Sequence, residues 1–265
     1  MPVILTFLLF SIPLNAAGFI VDKALEAEIR KVLQEPMAEL NEEKLLKLFV
    51  LEALGKNIKD LSGLEKCKNL ALLRLTNNQV ADLKPLKDLN NLQSLDLANN
   101  KIADIKPLSG LIKLQYIELS GNQIADISSL KDLVALNAIY MGNNKVSDLS
   151  AIKGLVKLSS LSFPKNQIVN LEPVKTVTRL STIDLSDNQI SDLGPLATQT
   201  DLRMLIIERN KITDLKPLVE WCKVDNAGMK RFAPFLRIYL AGNTLGADSA
   251  KQLEELKTIG VRKES

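Results

Sequence analysis

The sequence repeats itself every 22 residues, and this period restricts the chain to a fold built by stacking equal units. The pattern L-x-x-L-x-L-x-x precedes one asparagine in each unit, and x-I-x-D-L-x-P-L-x-x-L follows it. Seven units share this period without slippage, and their asparagines are Asn78, Asn100, Asn122, Asn144, Asn166, Asn188 and Asn210. Lys56 takes the asparagine position of an atypical first unit and Asn243 marks a last one, so nine units are visible. A single unit cannot bury its apolar face alone, so stability must come from stacking.

Each part of the unit predicts a local structure. The L-x-L segment alternates buried and variable residues, as a short strand with one covered face does. The asparagine side chain both donates and accepts hydrogen bonds, so it suits the main-chain groups at the corner after the strand. A recurring aspartate, with Asn170 in the same role, is predicted to cap a tight 3-10 turn; its positions are Asp60, Asp82, Asp104, Asp126, Asp148, Asp192 and Asp214. The predicted fold class is therefore an α/β solenoid, with a parallel sheet on the concave face and 3-10 or short helical turns on the convex face.

Helical caps are predicted at both ends of the stack, because exposed ends of a sheet invite aggregation. We assign residues 18–47 to an N-terminal cap, 48–245 to the nine repeats and 246–265 to a C-terminal cap, in one continuous domain from residue 18. The first helix, over 22–34, and a second, starting at Asn41, carry apolar stripes made of Leu25, Ile29, Val32, Leu33, Leu45, Leu46 and Leu48. In the C-terminal helix Ser249 and Gln252 form a predicted capping box, and its stripe is Ala250, Leu253, Leu256 and Ile259.

Three places depart from the repeat. From Asn210 to Asn243 the interval is 33 residues, which leaves room for a helical insertion near 219–234; its predicted stripe is Leu218, Cys222, Met229 and Phe232, and Pro234 is predicted to stop it. Phe163 replaces a strand leucine, and the adjacent Pro164 has no N–H, which predicts a mild irregularity in that strand. Gln199 stands where most units have leucine, so a less well packed turn is expected there.

Residues 1–17 have features of a secretory signal peptide. The apolar run from Val3 to Leu14 is too short to span a bilayer, and the small residues Ala16, Ala17 and Gly18 follow it. No Lys or Arg precedes the run. We expect export to the periplasm or the outside of the cell, with cleavage near Ala17. The alternative is a cytoplasmic protein whose apolar N-terminal segment folds onto the end of the domain.

Composition argues against catalysis and against a charged polymer as ligand. The chain has no histidine, which removes the commonest general base and metal ligand. A net charge of +3 predicts no strong attraction to nucleic acid or anionic membrane. Cys67 and Cys222 lie seven units apart, ~34 Å at the strand spacing, which is too far for a disulfide. We expect a monomeric protein that is not an enzyme, has no metal site and needs no cofactor.

The unit LxxLxLxxNxIxDLxPLxxL resembles the bacterial leucine-rich repeat of the internalin type, and the helical segment before it resembles the N-terminal cap of such proteins. The resemblance covers nearly the whole chain after residue 17. It implies a leucine-rich-repeat horseshoe that acts as an extracellular or envelope binding module, without specifying a ligand. The same repeat is similar to that of an intracellular regulator of a protein phosphatase. A cytoplasmic regulatory subunit that works by docking is therefore the alternative function.

The outward residues of the strands are predicted to line the concave face, which is the usual binding surface of a solenoid. All three tyrosines fall on it, and tyrosine, methionine and arginine are enriched in interface cores. The alternative is that tyrosine is simply a good strand residue. We predict that a protein partner binds here, through Arg74, Asp96, Tyr116, Glu118, Tyr140, Asp184, Met204, Ile206, Glu208, Arg237 and Tyr239.

Two further readings stay open. The carboxylates of Asp96 and Glu118 are expected about 5 Å apart, a spacing that could hold a cation or serve acid–base chemistry. An open sheet and a nearby Arg74 favour plain solvated surface instead. Trp221 is predicted to fill convex core, or else its helix offers a second contact site through Lys223, Lys230 and Arg231.

Overall fold

The computed structural model describes residues 19–264, which form a leucine-rich-repeat solenoid around one sheet of ten parallel strands. The strands pair in chain order, and the register advances by one unit at each step, so that Leu73 lies opposite Leu95. They are β1 (Val50–Glu52), β2 (Leu72–Arg74), β3 (Ser94–Asp96), β4 (Tyr116–Glu118), β5 (Ala138–Tyr140), β6 (Ser160–Ser162), β7 (Thr182–Asp184), β8 (Met204–Ile206), β9 (Arg237–Tyr239) and β10 (Arg262–Glu264). The predicted fold class is confirmed.

A 3-10 turn follows each of the first seven strands on the convex face: Leu64–Lys66, Lys84–Leu86, Lys106–Leu108, Ser128–Leu130, Ser150–Ile152, Glu172–Thr176 and Gly194–Thr198. The recurring aspartate of the repeat accepts a backbone N–H where these turns begin. Asp82 Oδ1 accepts the N–H of Lys84 at 2.9 Å, and Asn170 Oδ1 accepts the N–H of Glu172 at 2.8 Å in the same way. The predicted capping role is confirmed for both residue types.

The asparagine column joins each unit to the one before it. Asn100 Oδ1 accepts the N–H of Val80 at 3.0 Å, and its Nδ2 donates to the carbonyl of Leu75 at 3.0 Å, both in the preceding unit. The same Nδ2 also donates to the carbonyl of Leu97 at 2.9 Å in its own unit. One buried amide therefore satisfies main-chain groups of two units, as the repeat predicts.

At the N-terminal end, α1 (Lys23–Leu33) and α2 (Glu42–Leu45) cover the stack. Leu25 and Ile29 are fully buried, but Val32 is exposed, so the predicted stripe was too wide there. Leu46 is also exposed, because α2 ends after one turn and the chain turns toward β1.

The insertion forms α3 (Lys216–Ala227), which ends at Gly228, not at Pro234. The Asp225 carboxylate accepts the N–H groups of Arg231, Phe232 and Ala233, which turns the chain back before the helix can continue. Met229 is consequently exposed, against the prediction, while Phe232 is buried outside the helix.

The C-terminal end differs from the prediction in three respects. The helix α4 (Ser249–Ile259) has no capping box, because Gln252 binds Asp214 and the N–H of Leu215 instead, and Ala250 is exposed. Leu236 takes the buried position ahead of β9, while the preceding Phe235 is 59% exposed. The chain then adds β10, a strand of three charged residues that the sequence did not predict.

The departures from the repeat at Gln199 and Phe163 do not interrupt the solenoid. Gln199 is fully buried, and its Nε2 donates to the carbonyl of Val174 at 3.0 Å. The expected looser packing is therefore not seen at this position, although Oε1 of Gln199 has no hydrogen-bond partner among residues 19–264. Phe163 is fully buried, and β6 beside it pairs in register with β5 and β7, so the expected irregularity at Pro164 does not occur.

Candidate partner-binding surface

The structure places all eleven predicted residues on the outward side of the sheet. In strands β2 to β8 the middle residue is buried, while its two neighbours are half-buried and face outward. Arg237 and Tyr239 occupy the same positions of β9, and Glu208 follows β8. The strand alternation alone was enough to find this surface.

The side chains collect into two groups separated by small residues. The first, which we call the tyrosine–carboxylate cluster, consists of Arg74, Asp96, Tyr116, Glu118 and Tyr140. The second, which we call the apolar cluster, consists of Met204, Ile206, Arg237 and Tyr239, with Met204 opposite Arg237 and Ile206 opposite Tyr239. Between them the outward residues are the small or hydroxyl-bearing Ala138, Ser160, Ser162 and Thr182, together with Asp184.

Two tyrosines from neighbouring strands meet in the tyrosine–carboxylate cluster. The ring centroids of Tyr116 and Tyr140 are 5.5 Å apart, with an interplanar angle of 41°. Glu118 lies opposite Asp96 on one side and opposite Tyr140 on the other. The Glu118 carboxylate therefore belongs to the strand that carries Tyr116 and stands in register with the other ring.

Asp96 is neutralised from within the surface. Its Oδ1 accepts the Thr76 hydroxyl at 2.7 Å, and its Oδ2 lies 3.4 Å from Nε of Arg74. Arg74 also lies 3.4 Å from Oε1 of Glu52, so one guanidinium serves two carboxylates. Asp96 therefore has a counter-ion within the protein.

Glu118 has no such counter-ion in the part of the chain that the structure describes. Burial raises the pKa of its carboxyl, and the charge of Asp96 adds to this effect. The hydroxyl of Ser120 and the N–H of Ser120, which donates to Oε1 at 2.7 Å, act in the opposite direction and lower the pKa. Burial likewise raises the pKa of Tyr116, and the charges of Glu118 and Asp96 add to the effect. The site therefore holds negative charge that its own residues do not balance.

The acidic strand residues have a structural task that sequence reasoning missed. Asp96, Glu118 and Asp184 each accept the N–H two residues further on, at 3.1, 2.7 and 3.1 Å. In the unit after that of Glu118, the equivalent N–H belongs to Gly142 and donates to Ser120 Oγ. In the following unit the equivalent residue is Pro164, which has no N–H. That position lies outside the sheet ladder, which explains why proline is harmless there. An acidic residue two places before the loop residue is the signal that could have found this role.

At the other end of the concave face, the acidic residues form ion pairs and hydrogen bonds within the protein. Arg209 binds Asp187 and Glu208, each at 2.7 Å. Asp184 accepts both the N–H and the hydroxyl of Ser186, the hydroxyl at 2.8 Å. Glu208 and Asp184, both predicted site residues, are therefore already engaged within the protein.

The remaining candidates lie elsewhere. Trp221 packs in the convex core and stacks on Phe232 with centroids 4.3 Å apart, as the favoured reading expected. In the proposed second contact site, Lys223 pairs with Glu255, and Arg231 pairs with Asp201. Cys67 and Cys222 are unpaired and buried, and burial raises the pKa of each thiol to about 12.

Over residues 19–264, no group of three or more His, Cys, Asp or Glu side chains is arranged to hold a metal ion. Within the same residues, no helix is both long and apolar enough to cross a membrane.

A parallel sheet of stacked 22-residue units, with an asparagine column and convex turns, defines a leucine-rich-repeat protein. The family model described as "Leucine Rich repeats (2 copies)" matches residues 90–132, 112–155 and 178–220. The chain is similar to internalin C2 of Listeria monocytogenes, with 28% identity, a TM-score of 0.77 and coverage of 84% of this chain and 95% of that one. It also resembles the internalin InlF of the same organism, with 24% identity, a TM-score of 0.72 and coverage of 93% and 92%.

A third similar structure is the functional domain of InlJ from Listeria monocytogenes, with 22% identity, a TM-score of 0.72 and coverage of 93% of this chain and 60% of that one. No curated protein matches the sequence. The chain therefore has a leucine-rich-repeat fold that is similar to the folds of the internalins.

Proposed function

We propose that the protein binds a partner protein through its concave face, with the tyrosine–carboxylate cluster as the principal anchor. The observation that carries this proposal is the contact between Tyr116 and Tyr140 beside a carboxylate without a counter-ion. Both tyrosines are half-buried, so part of each side chain is accessible to a partner. In this proposal the protein acts as a monomer and needs no cofactor. It is not an enzyme, since the chain has no histidine, and it does not bind nucleic acid, since its net charge is only +3.

The physical case rests on rigidity. Tyrosine brings a large contact area at low cost in side-chain entropy, and residues on paired strands lose little further freedom on binding. Anchors of this kind typically cost about 2 kcal/mol or more of binding free energy when truncated. The small residues Ala138, Ser160 and Ser162 next to the cluster leave room for a partner to approach the sheet. The apolar cluster around Met204 would extend the contact.

The test is capture of partners from native extracts by the wild-type protein and by the double variant Tyr116→Ala with Tyr140→Ala. We expect the double variant to lose the specific partner, with a dissociation constant raised at least tenfold once that partner is identified. The matched control is Val134→Ala with Val156→Ala, which removes two exposed side chains that lie outside the strands. An unchanged set of partners for the tyrosine variant would refute binding through this cluster.

We further propose that the protein acts in the bacterial envelope or outside the cell. The support is the apolar run in residues 1–17, which lies outside the described residues, and the similarity to internalins. The alternative, a cytoplasmic docking subunit, is favoured by the two unpaired cysteines. Cell fractionation with N-terminal sequencing separates the two: a chain that begins at Met1 in the cytoplasm would refute export.

A further inference from the structure

We infer that the tyrosine–carboxylate cluster is a receptor for a single cationic side chain, a lysine or an arginine, of the partner protein. This inference rests on the proposed function and specifies the chemistry of its principal contact. It concerns the outward surface at Glu118, next to the paired rings of Tyr116 and Tyr140.

The charge balance of the cluster is the first step. This part of the face has three carboxylates, those of Glu52, Asp96 and Glu118, and one guanidinium, that of Arg74. Arg74 forms ion pairs with Glu52 and Asp96. Glu118 is left with the N–H and the hydroxyl of Ser120, which are both neutral donors. The chain as a whole carries a net charge of +3, so this negative surface runs against the overall composition. A half-buried carboxylate without a counter-ion gains more from an incoming cation than a solvated one does, because part of its hydration is already lost.

The aromatic rings are the second step. A cation is attracted to the face of an aromatic ring within about 6 Å of its centroid. The rings of Tyr116 and Tyr140 lie 5.5 Å apart and are tilted by 41°. Glu118 lies two residues after Tyr116 on the same strand and opposite Tyr140 on the next, so its carboxylate has an aromatic neighbour on each of two strands. Neither a neutral nor an acidic side chain would gain from both the carboxylate and the rings.

Asp184 is an acidic residue on the same face that has no aromatic residue beside it in register. It holds the position equivalent to Glu118 three strands further on and also accepts the N–H two residues ahead. Its carboxylate additionally accepts the Ser186 hydroxyl, and its strand neighbours in register are Ser162 and Ile206. A cation arriving there would meet a carboxylate that has no aromatic ring beside it in register.

The experiment uses the full chain, with tyrosine ring signals followed by NMR. Three capped pentapeptides serve as probes: Ac-Gly-Ala-Lys-Ala-Gly-NH2 and its counterparts with arginine or norleucine at the centre. We expect both cationic peptides to shift the signals of Tyr116 and Tyr140 and to leave Tyr239 in place, with the norleucine peptide binding at least fivefold more weakly. Glu118→Gln keeps an oxygen for the Ser120 N–H and should weaken cationic binding at least fivefold. Asp132→Asn, which changes an exposed carboxylate outside the strands, should leave it unchanged.

Equal binding of the norleucine and lysine peptides would overturn the inference, and so would undiminished binding by Glu118→Gln. The two proposals can fail separately. A native partner that requires both tyrosines but binds Glu118→Gln with unchanged affinity would refute the cation receptor and keep the concave binding site. A partner that ignores the tyrosines would refute the proposed function itself.

Discussion

Oδ2 of Asp22 accepts the backbone N–H of Lys59 at 2.9 Å, which ties the residue that starts the first helix to the first repeat. The other carboxylate oxygen accepts the N–H groups of Ala24 and Leu25 at the start of α1. One side chain thus caps a helix and fastens the N-terminal cap to the stack. This double role makes Asp22 a sensitive point of the cap.

Replacing Asp22 by alanine is expected to lower the free energy of unfolding by about 2 kcal/mol, since it removes a helix cap and leaves two N–H groups of the first repeat without their acceptor. Urea denaturation measures this. The matched control is Glu39→Ala, because Glu39 is an exposed carboxylate near the same helices. A loss no larger than that of the control would contradict the cross-link.

The same carboxylate predicts a pH effect. Burial alone would raise the pKa of Asp22, but the N–H groups of Lys59, Leu25, Asp60 and Ala24 outweigh it and lower the pKa below its ordinary 3.8. Since the pKa is lower in the folded state, the stabilisation is fully present above pH 3.8 and is lost as the pH falls through the folded value. The stability gap between wild type and Asp22→Ala should therefore narrow in acid.

Asn122→Ala tests the asparagine column. Asn122 accepts the N–H of Ile102 at 3.0 Å and donates to the carbonyls of Leu97 and Leu119. Its removal leaves buried main-chain groups unpaired, and we expect a loss of about 3 kcal/mol. The control is Gln123→Ala, the exposed neighbour. Equal denaturation midpoints for the two variants would show that water replaces the amide without cost.

Lys165→Asn is expected to stabilise the protein. The residue before the column asparagine has a positive φ in most units, and Lys165 has φ 55°, whereas Asn77, Asn99 and Asn143 hold the same position elsewhere with φ of 59°, 53° and 53°. Asparagine tolerates this left-handed conformation better than lysine. We expect a gain of about 0.5–1 kcal/mol in thermal or urea unfolding. Lys157→Asn, at an exposed position without positive φ, should give no gain.

Glu118→Gln is expected to raise the melting temperature at pH 7. Burial and the charge of Asp96 raise the pKa of Glu118, so its ionised form destabilises the fold at neutral pH. This penalty fades as the pH falls through the raised folded value and is gone below the ordinary 4.5. The advantage of the glutamine variant should disappear over the same interval. A variant less stable than wild type at pH 7 would contradict the excess of negative charge.

The repeat could be predicted from the sequence because its signals recur. Strand leucines, column asparagines and turn aspartates each stand in a fixed place in many units, and one physical reason explains every copy. The outward strand residues follow from the alternation, which is why the whole candidate surface was found. The ends lack this redundancy. Arg262, Lys263 and Glu264 show no apolar alternation, and they form a strand because β9 offers them an open edge.

The chemistry of the cluster was less accessible. The sequence places Asp96 and Glu118 side by side, but it does not show that Arg74 serves Glu52 and Asp96. That choice depends on side-chain positions across three units. The end of α3 was missed for a similar reason, since Met229 fits the helical spacing and only the Asp225 contacts show that the helix has already stopped.

The strands β8 and β9 lie in register, with Ile206 opposite Tyr239, although 33 residues separate them and 22 separate every earlier pair. All of the extra length is taken up on the convex side, by α3 and the turn after it. The two faces can therefore evolve independently: lengthening a convex segment gives the molecule new material without displacing a single side chain that a concave ligand would touch. For protein engineering, this segment is a natural point at which to graft a tag or a second domain onto the scaffold.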